Sequence, residues 1–297
     1  MKYFVAAGED RRLDATARKS LRGSYIQLSN GITHYELTGP AGGDVVVLTG
    51  GLTVPLFYWD ETAAALHDHG LRTLAYSAYG RGYSDRVEGP YGEALLARQL
   101  LELIVDTLDE STPRHLVGAS MGALVAMAYL GRHAAAPTTV TLIGPAGLSP
   151  PPMLQKLLLG NDITGGLIAK HLGQRIFDRH QRHNVRDRKR AADLAAMVDT
   201  AYHYEGSLFA FFDTLQHFPL FDRAELYRAT GALPIPAMLM WGTDDQVTPI
   251  SSLDHVNDLL KPEQCHVIPD CGHMVPFERP AFVAEKLAAF TAFHTKR

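Results

Sequence analysis

Residues Val45 to Thr49 read Val-Val-Val-Leu-Thr, a largely β-branched run with no polar alternation. A strand of that kind has to be covered on both faces, the condition of a strand inside a parallel sheet. The segments that follow keep to this constraint. Asp60–His69 is amphipathic and closes on Gly70, Leu71–Tyr76 is a second strand, and Gly80-Arg-Gly-Tyr-Ser84 is a loop past its carboxyl end. A helix from about Glu93 to Leu108, a strand at Arg114–Val117, a helix over Met121–Arg132 and a strand at Thr138–Ile143 continue the alternation. Parallel neighbours need long crossovers, so this order predicts an α/β chain with a mostly parallel, doubly wound sheet. Only the beginning differs. Ser24–Ser29 and Thr33–Thr38 alternate around Asn30-Gly31, a pair that accepts positive φ and predicts a hairpin.

After Pro145 the pattern breaks. Ser149-Pro-Pro-Pro152 cannot pair in a central strand, and the residues beyond it read as helices, with Gly160-Asn161 and Gly165-Gly166 as punctuation between them. The expectation is a core of residues 1–146 and 232–297, interrupted by a helical insertion over 147–231. Within it the densely charged Asp178–Arg190 predicts a solvated helix face. Its apolar stretches, Met153–Leu159, Leu208–Phe212 and Phe218–Phe221, suit either a pocket for an apolar group or plain core packing. Strand character resumes at Pro236–Trp241 and Gln264–Ile268, and Phe282–His294 is a closing amphipathic helix.

Composition removes several function classes. With 46% apolar and 20% charged residues the chain can bury a core, and a net charge of −4 offers no footprint for a phosphate backbone, so no nucleic-acid partner is expected. The short apolar run Tyr3–Ala7 ends in Glu9, Asp10, Arg11 and Arg12, which is not an export signal, and no long apolar run predicts a membrane anchor. Two cysteines, Cys265 and Cys271, cannot form a disulfide framework, so the expected location is the cytoplasm. No metal is expected, because His67-Asp68-His69 lies on a helical pattern that points neighbours to different sides. No cofactor is expected either: Gly80-Arg-Gly82 lacks the third glycine of a dinucleotide loop, and no G-K-[ST] completes a phosphate loop.

The sharpest local signal is Gly118-Ala119-Ser120-Met121-Gly122, lying between a short apolar strand and a strongly helical run. A strand that turns abruptly into a helix strains its middle residue, and the two glycines remove the side chains that would collide there. Ser120 then stands at the carboxyl edge of the sheet, above a helix N-terminus that favours negative charge. A serine hydroxyl attacks only if a base takes its proton, which calls for a histidine oriented by a carboxylate. Asp244 and Asp245 follow the strand ending in Trp241-Gly242, and His273 occupies a glycine-flanked loop after the next strand. Ser, Asp, His is the chain order of the α/β-hydrolases.

Five segments in order, Gly50–Asp60, Tyr76–Arg86, Leu116–Ala126, Trp241–Pro249 and Cys271–Pro280, make the chain resemble the α/β-hydrolase-fold serine hydrolases of the esterase/lipase branch over nearly its whole length. The resemblance implies Ser120 as nucleophile, His273 as general base and acid, and a carboxylate at the G-x-x-D position, which selects Asp245 with Asp244 as the alternative. It implies an oxyanion hole made by the backbone N–H of Met121 and of Leu52, with Gly51 as the fallback donor. Here the chain departs from the family, since Gly50 replaces a usual histidine and the loop loses a side chain that anchors it. Gly80–Ser84 becomes a loop that buttresses the site, and Cys271 a small packing residue. The implied activity is cofactor-independent hydrolysis of a carboxylic ester of a small, largely apolar substrate through an acyl-enzyme. The alternatives are C–C bond hydrolysis, lactonase or acyltransferase chemistry by the same serine, or a binding protein that uses the pocket without turnover.

Overall fold

A computed structural model describes residues 1–132, 136–149, 161–181 and 185–295. Its centre is an eight-stranded sheet in the order β1-β2-β4-β3-β5-β6-β7-β8. The strands are β1 Ser24–Gln27, β2 Ile32–Thr38, β3 Val45–Thr49, β4 Arg72–Tyr76, β5 Arg114–Ala119, β6 Thr139–Ile143, β7 Ala237–Gly242 and β8 Gln264–Ile268. The Asn30-Gly31 hairpin pairs β1 with β2, and β2 runs antiparallel to β4. Every other pairing is parallel. β3, β5 and β7 are buried at every position, which is why β3 and β7 are largely apolar runs that do not alternate, while β5 becomes apolar after Arg114-His115.

Register sets the level of the strand ends. Thr49 lies beside Gly118, Ala119 beside Ile143, Ile143 beside Met240, and Gly242 beside Ile268. The loops that leave these strands therefore emerge along one edge, at the carboxyl ends where open α/β sheets present their ligands. Helices α1 Ala15–Ser20, α2 Asp60–Asp68, α3 Glu93–Thr107 and α4 Met121–Leu130 belong to the first half of the chain. α1 carries no strong periodic signal and is held by its cap, Asp14, whose carboxylate accepts from the N–H groups of Thr16 and Ala17.

Between β6 and β7 the described chain is helical: α5 Asp162–Gln181, α6 Arg188–Tyr202, α7 Ser207–His217 and α8 Ala224–Gly231. Gly165-Gly166 does not separate helices as its composition suggests but lies inside α5. Farther along α5, Gly173 packs on α7 so closely that a Cβ there would sit 3.0 Å from the Phe212 ring. The charge run Asp178–Arg190 is only partly a solvated face. Arg190 donates to Glu61 and to the Phe277 carbonyl, and Arg186 pairs with Asp244 and Asp270, so these cations tie the helical segment to the sheet loops. After β7 come α9 Leu253–Leu260, α10 Val275–Glu278 and α11 Pro280–Thr295. Among the described residues no helix is long and apolar enough to cross a membrane.

Candidate active site

Ser120 stands where β5 becomes α4, with φ 55° and ψ −122°, a backbone region that L-residues enter only under strain. The flanking glycines are demanded by close packing. A Cβ at Gly118 would lie 2.6 Å from Ala123 Cα, and one at Gly122 would lie 2.3 Å from the Thr49 carbonyl oxygen. No side chain fits at those distances, so the first turn of α4 can rest directly on the backbone of β3. α4 is buried along its whole length, and Ser120 N–H donates to the Ile143 carbonyl. The serine is thus held by rigid elements, with the unpaired N–H groups of the helix start beside it.

His273 and Asp245 reach the same point from the ends of β8 and β7. His273 Nε2 lies 2.9 Å from Ser120 Oγ, and Nδ1 lies 2.7 Å from Asp245 Oδ2. A carboxylate on Nδ1 keeps the proton there and leaves the Nε2 lone pair to accept from the serine hydroxyl. His273 and Asp245 are only 4% and 5% exposed. Asp245 is saturated with donors: Oδ1 accepts from the N–H groups of Val247 and Thr248, and Oδ2 from the Thr248 hydroxyl at 2.8 Å. The same hydroxyl lies 3.1 Å from the Gly144 carbonyl. Gly144 itself has φ 47°, and a Cβ there would crowd Asp245 Oδ2 at 3.2 Å. Asp244, the alternative partner, faces the other way and pairs with Arg186.

The remaining expected residues gather on the opposite side of Ser120. Gly51, Leu52 and Met121 border the same cavity as Ser120 and His273. A Cβ on Gly51 would lie 3.3 Å from Ser120 Cβ, so the loop after β3 passes the serine more closely than most side chains are packed. The cavity measures about 650 Å³, and much of its wall is Ile176, Phe211, Leu215, Leu220, Phe221 and Met274. Of the apolar stretches singled out earlier, Phe218–Phe221 contributes two walls and Leu208–Phe212 mainly core, with Phe211 alone on the cavity. Met153–Leu159 lies outside the described residues. The polar side chains of Arg179, His180 and Gln246 also border this space.

A family model described as the "Alpha/beta hydrolase family" matches residues 45–286. The chain belongs to that family. Among its curated relatives is the "Putative carbamate hydrolase RutD" of Variovorax paradoxus, 27% identical over 87% of this chain and 96% of that protein. The "Monoacylglycerol lipase abhd6-B" of Xenopus laevis is 28% identical over 60% of this chain but 54% of its own length. A thermophilic esterase from Thermogutta terrifontis shares the fold, with a TM-score of 0.77 at 19% identity, covering 92% of this chain and 100% of the esterase.

Two further residues of this hydrolase carry weight that single-sequence reading did not give them. Thr248, in the stretch Trp241–Pro249, fixes Asp245 as described above. Glu278 is buried, accepts from the N–H of Gly272 at 3.0 Å and from the N–H of Arg186 at 3.0 Å, and so joins the His273 loop to the helical segment. Burial pushes its carboxyl above the usual range, and the two N–H groups oppose that shift. Neither was legible beforehand, because a Thr or Glu at the right spacing looks like any surface residue until its loop is closed. Other candidates settle into structure. Cys271 is fully buried and burial pushes its thiol up to about 12, so at neutral pH it is no nucleophile. His67 Nε2 lies 2.9 Å from the Thr73 hydroxyl and the two bond as neighbours in the fold.

Proposed function

We propose that this family member is a serine hydrolase that cleaves a carboxylic ester of a small, largely apolar substrate through an acyl-enzyme on Ser120. The observation that carries the reading is the continuous hydrogen-bond chain from Ser120 Oγ through His273 to Asp245, opening on an apolar-walled cavity. In this reading His273 Nε2 takes the hydroxyl proton as Ser120 Oγ attacks the carbonyl carbon, then returns it to the departing alcohol. Water follows the same path in reverse and releases the acid. Asp245 holds the imidazole in the tautomer the step needs and offsets the charge it gains. The N–H groups of Leu52 and Met121 receive the developing oxyanion, each worth on the order of 3 kcal/mol in such sites. Residues 147–231 act as a cap whose apolar side chains close over the acyl group and exclude water.

The apolar walls favour an ester with a hydrocarbon acyl part over a small polar carbamate, although the carbamate carbonyl would use the same nucleophile and hole. The two cysteines, both free, suit the cytoplasmic location proposed with this function. A panel of p-nitrophenyl esters of rising acyl length, a monoacylglycerol, a lactone, an aryl carbamate and a dienedione tests the reading, run on wild type and Ser120→Ala with a fluorophosphonate label. Labelling and ester turnover that both vanish in Ser120→Ala are expected. Labelling without turnover of any ester would sink the ester assignment, and no labelling would sink the nucleophile.

A further inference from the structure

Arg81 is completely buried, yet among the described residues no carboxylate lies within salt-bridge distance of it. Its guanidinium ends on neutral acceptors in three separate pieces of chain. Nε donates to the Leu52 carbonyl, Nη1 to the Tyr79 carbonyl and Nη2 to the Thr214 hydroxyl of α7, each at 2.8 Å. The ring of Tyr91 covers it at 5.8 Å. The loop is shaped to send this side chain inward. Gly80 and Gly82, at φ 80° and 48°, flank Arg81, and side chains there would collide with Ala210 and Ser77.

Taking a guanidinium out of water is expensive, and three neutral acceptors, with the field of the Asp213 carboxylate beyond salt-bridge distance, return only part of the cost. A hydrophobic side chain would fill the same volume at less expense, so space-filling does not account for Arg81. The group it grips does. Between Gly51 and Val54, the bond from Arg81 is the one that any side chain makes to the loop backbone among the described residues. Gly50 and Gly51 give this loop no side chain of their own to hold it, and a Cβ at Gly50 would already press on Val54 at 3.1 Å.

We propose that Arg81 is the positioning residue of the oxyanion hole. It fixes the Leu52 carbonyl, and with it the aim of the Leu52 N–H, in a loop whose glycines offer no anchor of their own. Through Thr214 it makes that aim depend on α7 being seated, so the hole is complete when the helix above it is docked. The inference rests on the serine-hydrolase reading, and its test separates the two.

The variants are Arg81→Met, Arg81→Lys and Thr214→Val, assayed with the best ester of the panel and with a trifluoromethyl ketone, which forms an anionic tetrahedral adduct on the serine. For Arg81→Met, kcat is expected to fall about 10- to 100-fold, short of outright loss of an oxyanion donor, while KM stays within about twofold. Ketone affinity should weaken by the same factor as kcat. Arg81→Lys, which keeps one donor, should recover part of both losses, and Thr214→Val should show a loss of about fivefold or less. A folded Arg81→Met protein with wild-type kcat and ketone affinity overturns the proposal, as does a variant that changes KM alone. If Arg81→Met does not fold, Arg81→Lys decides: parallel loss of kcat and ketone affinity supports the role, and wild-type values of both overturn it. Ester turnover by wild type that Ser120→Ala abolishes upholds the hydrolase reading whichever way Arg81 falls. Its absence overturns both.

Discussion

The two flanks of Ser120 are built on opposite principles. On the histidine flank, side chains hold side chains: His273, Asp245 and Thr248 form a closed set of short hydrogen bonds, and Glu278 secures the loop behind them. On the flank proposed to hold the oxyanion the backbone would be the functional group, and Gly51 brings it near the serine because nothing projects from it. The contrast teaches where each flank is vulnerable. Polarity changes should disable the first, and added volume or a released anchor should disable the second.

The largest test of that contrast is Asp245→Asn, which leaves shape intact but removes the carboxylate that sets the His273 tautomer. In the proposed mechanism kcat should fall by roughly 10⁴-fold, measured on the best ester, with the cavity and KM little changed. A loss below about tenfold would mean the histidine flank does not depend on polarity at all. The matching volume test is Gly51→Val. A side chain 3.3 Å from Ser120 Cβ must push the loop away, and a displacement near 1 Å should cost roughly 10²-fold in kcat. Unimpaired turnover in Gly51→Val would erase the distinction between the flanks.

Acid provides a third test, through the foundations of the oxyanion flank. His34 is buried, its Nδ1 lies 3.2 Å from Ser77 Oγ, and that hydroxyl accepts from Leu56 N–H at the end of the loop. Burial pushes His34 down to about 3. Above the usual histidine range both folded and unfolded states are neutral. As pH falls below about 6.5 the unfolded chain takes up the proton first, so stability drops until the folded pKa is reached, by up to about 1.4 kcal/mol per pH unit. Urea unfolding at pH 7, 6, 5 and 4 should show a shallower decline for His34→Gln than for wild type. Equal slopes would place the acid sensitivity elsewhere.

Two smaller effects refine the histidine flank. Thr248→Val removes one hydrogen bond to a carboxylate and should lower kcat by roughly tenfold. Asp244→Asn removes a partly exposed pair with Arg186 while keeping an acceptor for the Thr243 hydroxyl and should cost about threefold at most. If Asp244→Asn were as damaging as Asp245→Asn, the choice between the two carboxylates would be reversed.

How far these features can be read without a structure differs by residue. The alternation of fully apolar strands with helices, the glycine-bounded Ser120 and the order of Ser120, Asp245 and His273 are local or sequential properties, and each is visible in one pass. Asp244 and Asp245 are chemically identical neighbours; the resemblance favours Asp245 by its spacing, and the turn after β7 is what brings that carboxylate to His273 Nδ1. Gly165-Gly166 looks like punctuation, but α5 continues through it. The two glycines around Arg81 rule out a dinucleotide loop by their spacing, and the resemblance makes their loop a buttress of the site without saying how. Their purpose is visible only when α7, more than a hundred residues later, closes on the same guanidinium.

By itself, then, the amino-acid sequence determined the sheet, the strained turn at Ser120 and the identity of the groups available for chemistry, because hydrophobic period and glycine sterics act within a few residues. The tertiary structure decided how Asp245 is presented to the histidine, which helices wall the cavity and what grips the loop after β3. Those outcomes depend on strand register and on packing between segments far apart in the chain, where a shift of about one ångström changes which atoms can share a hydrogen bond.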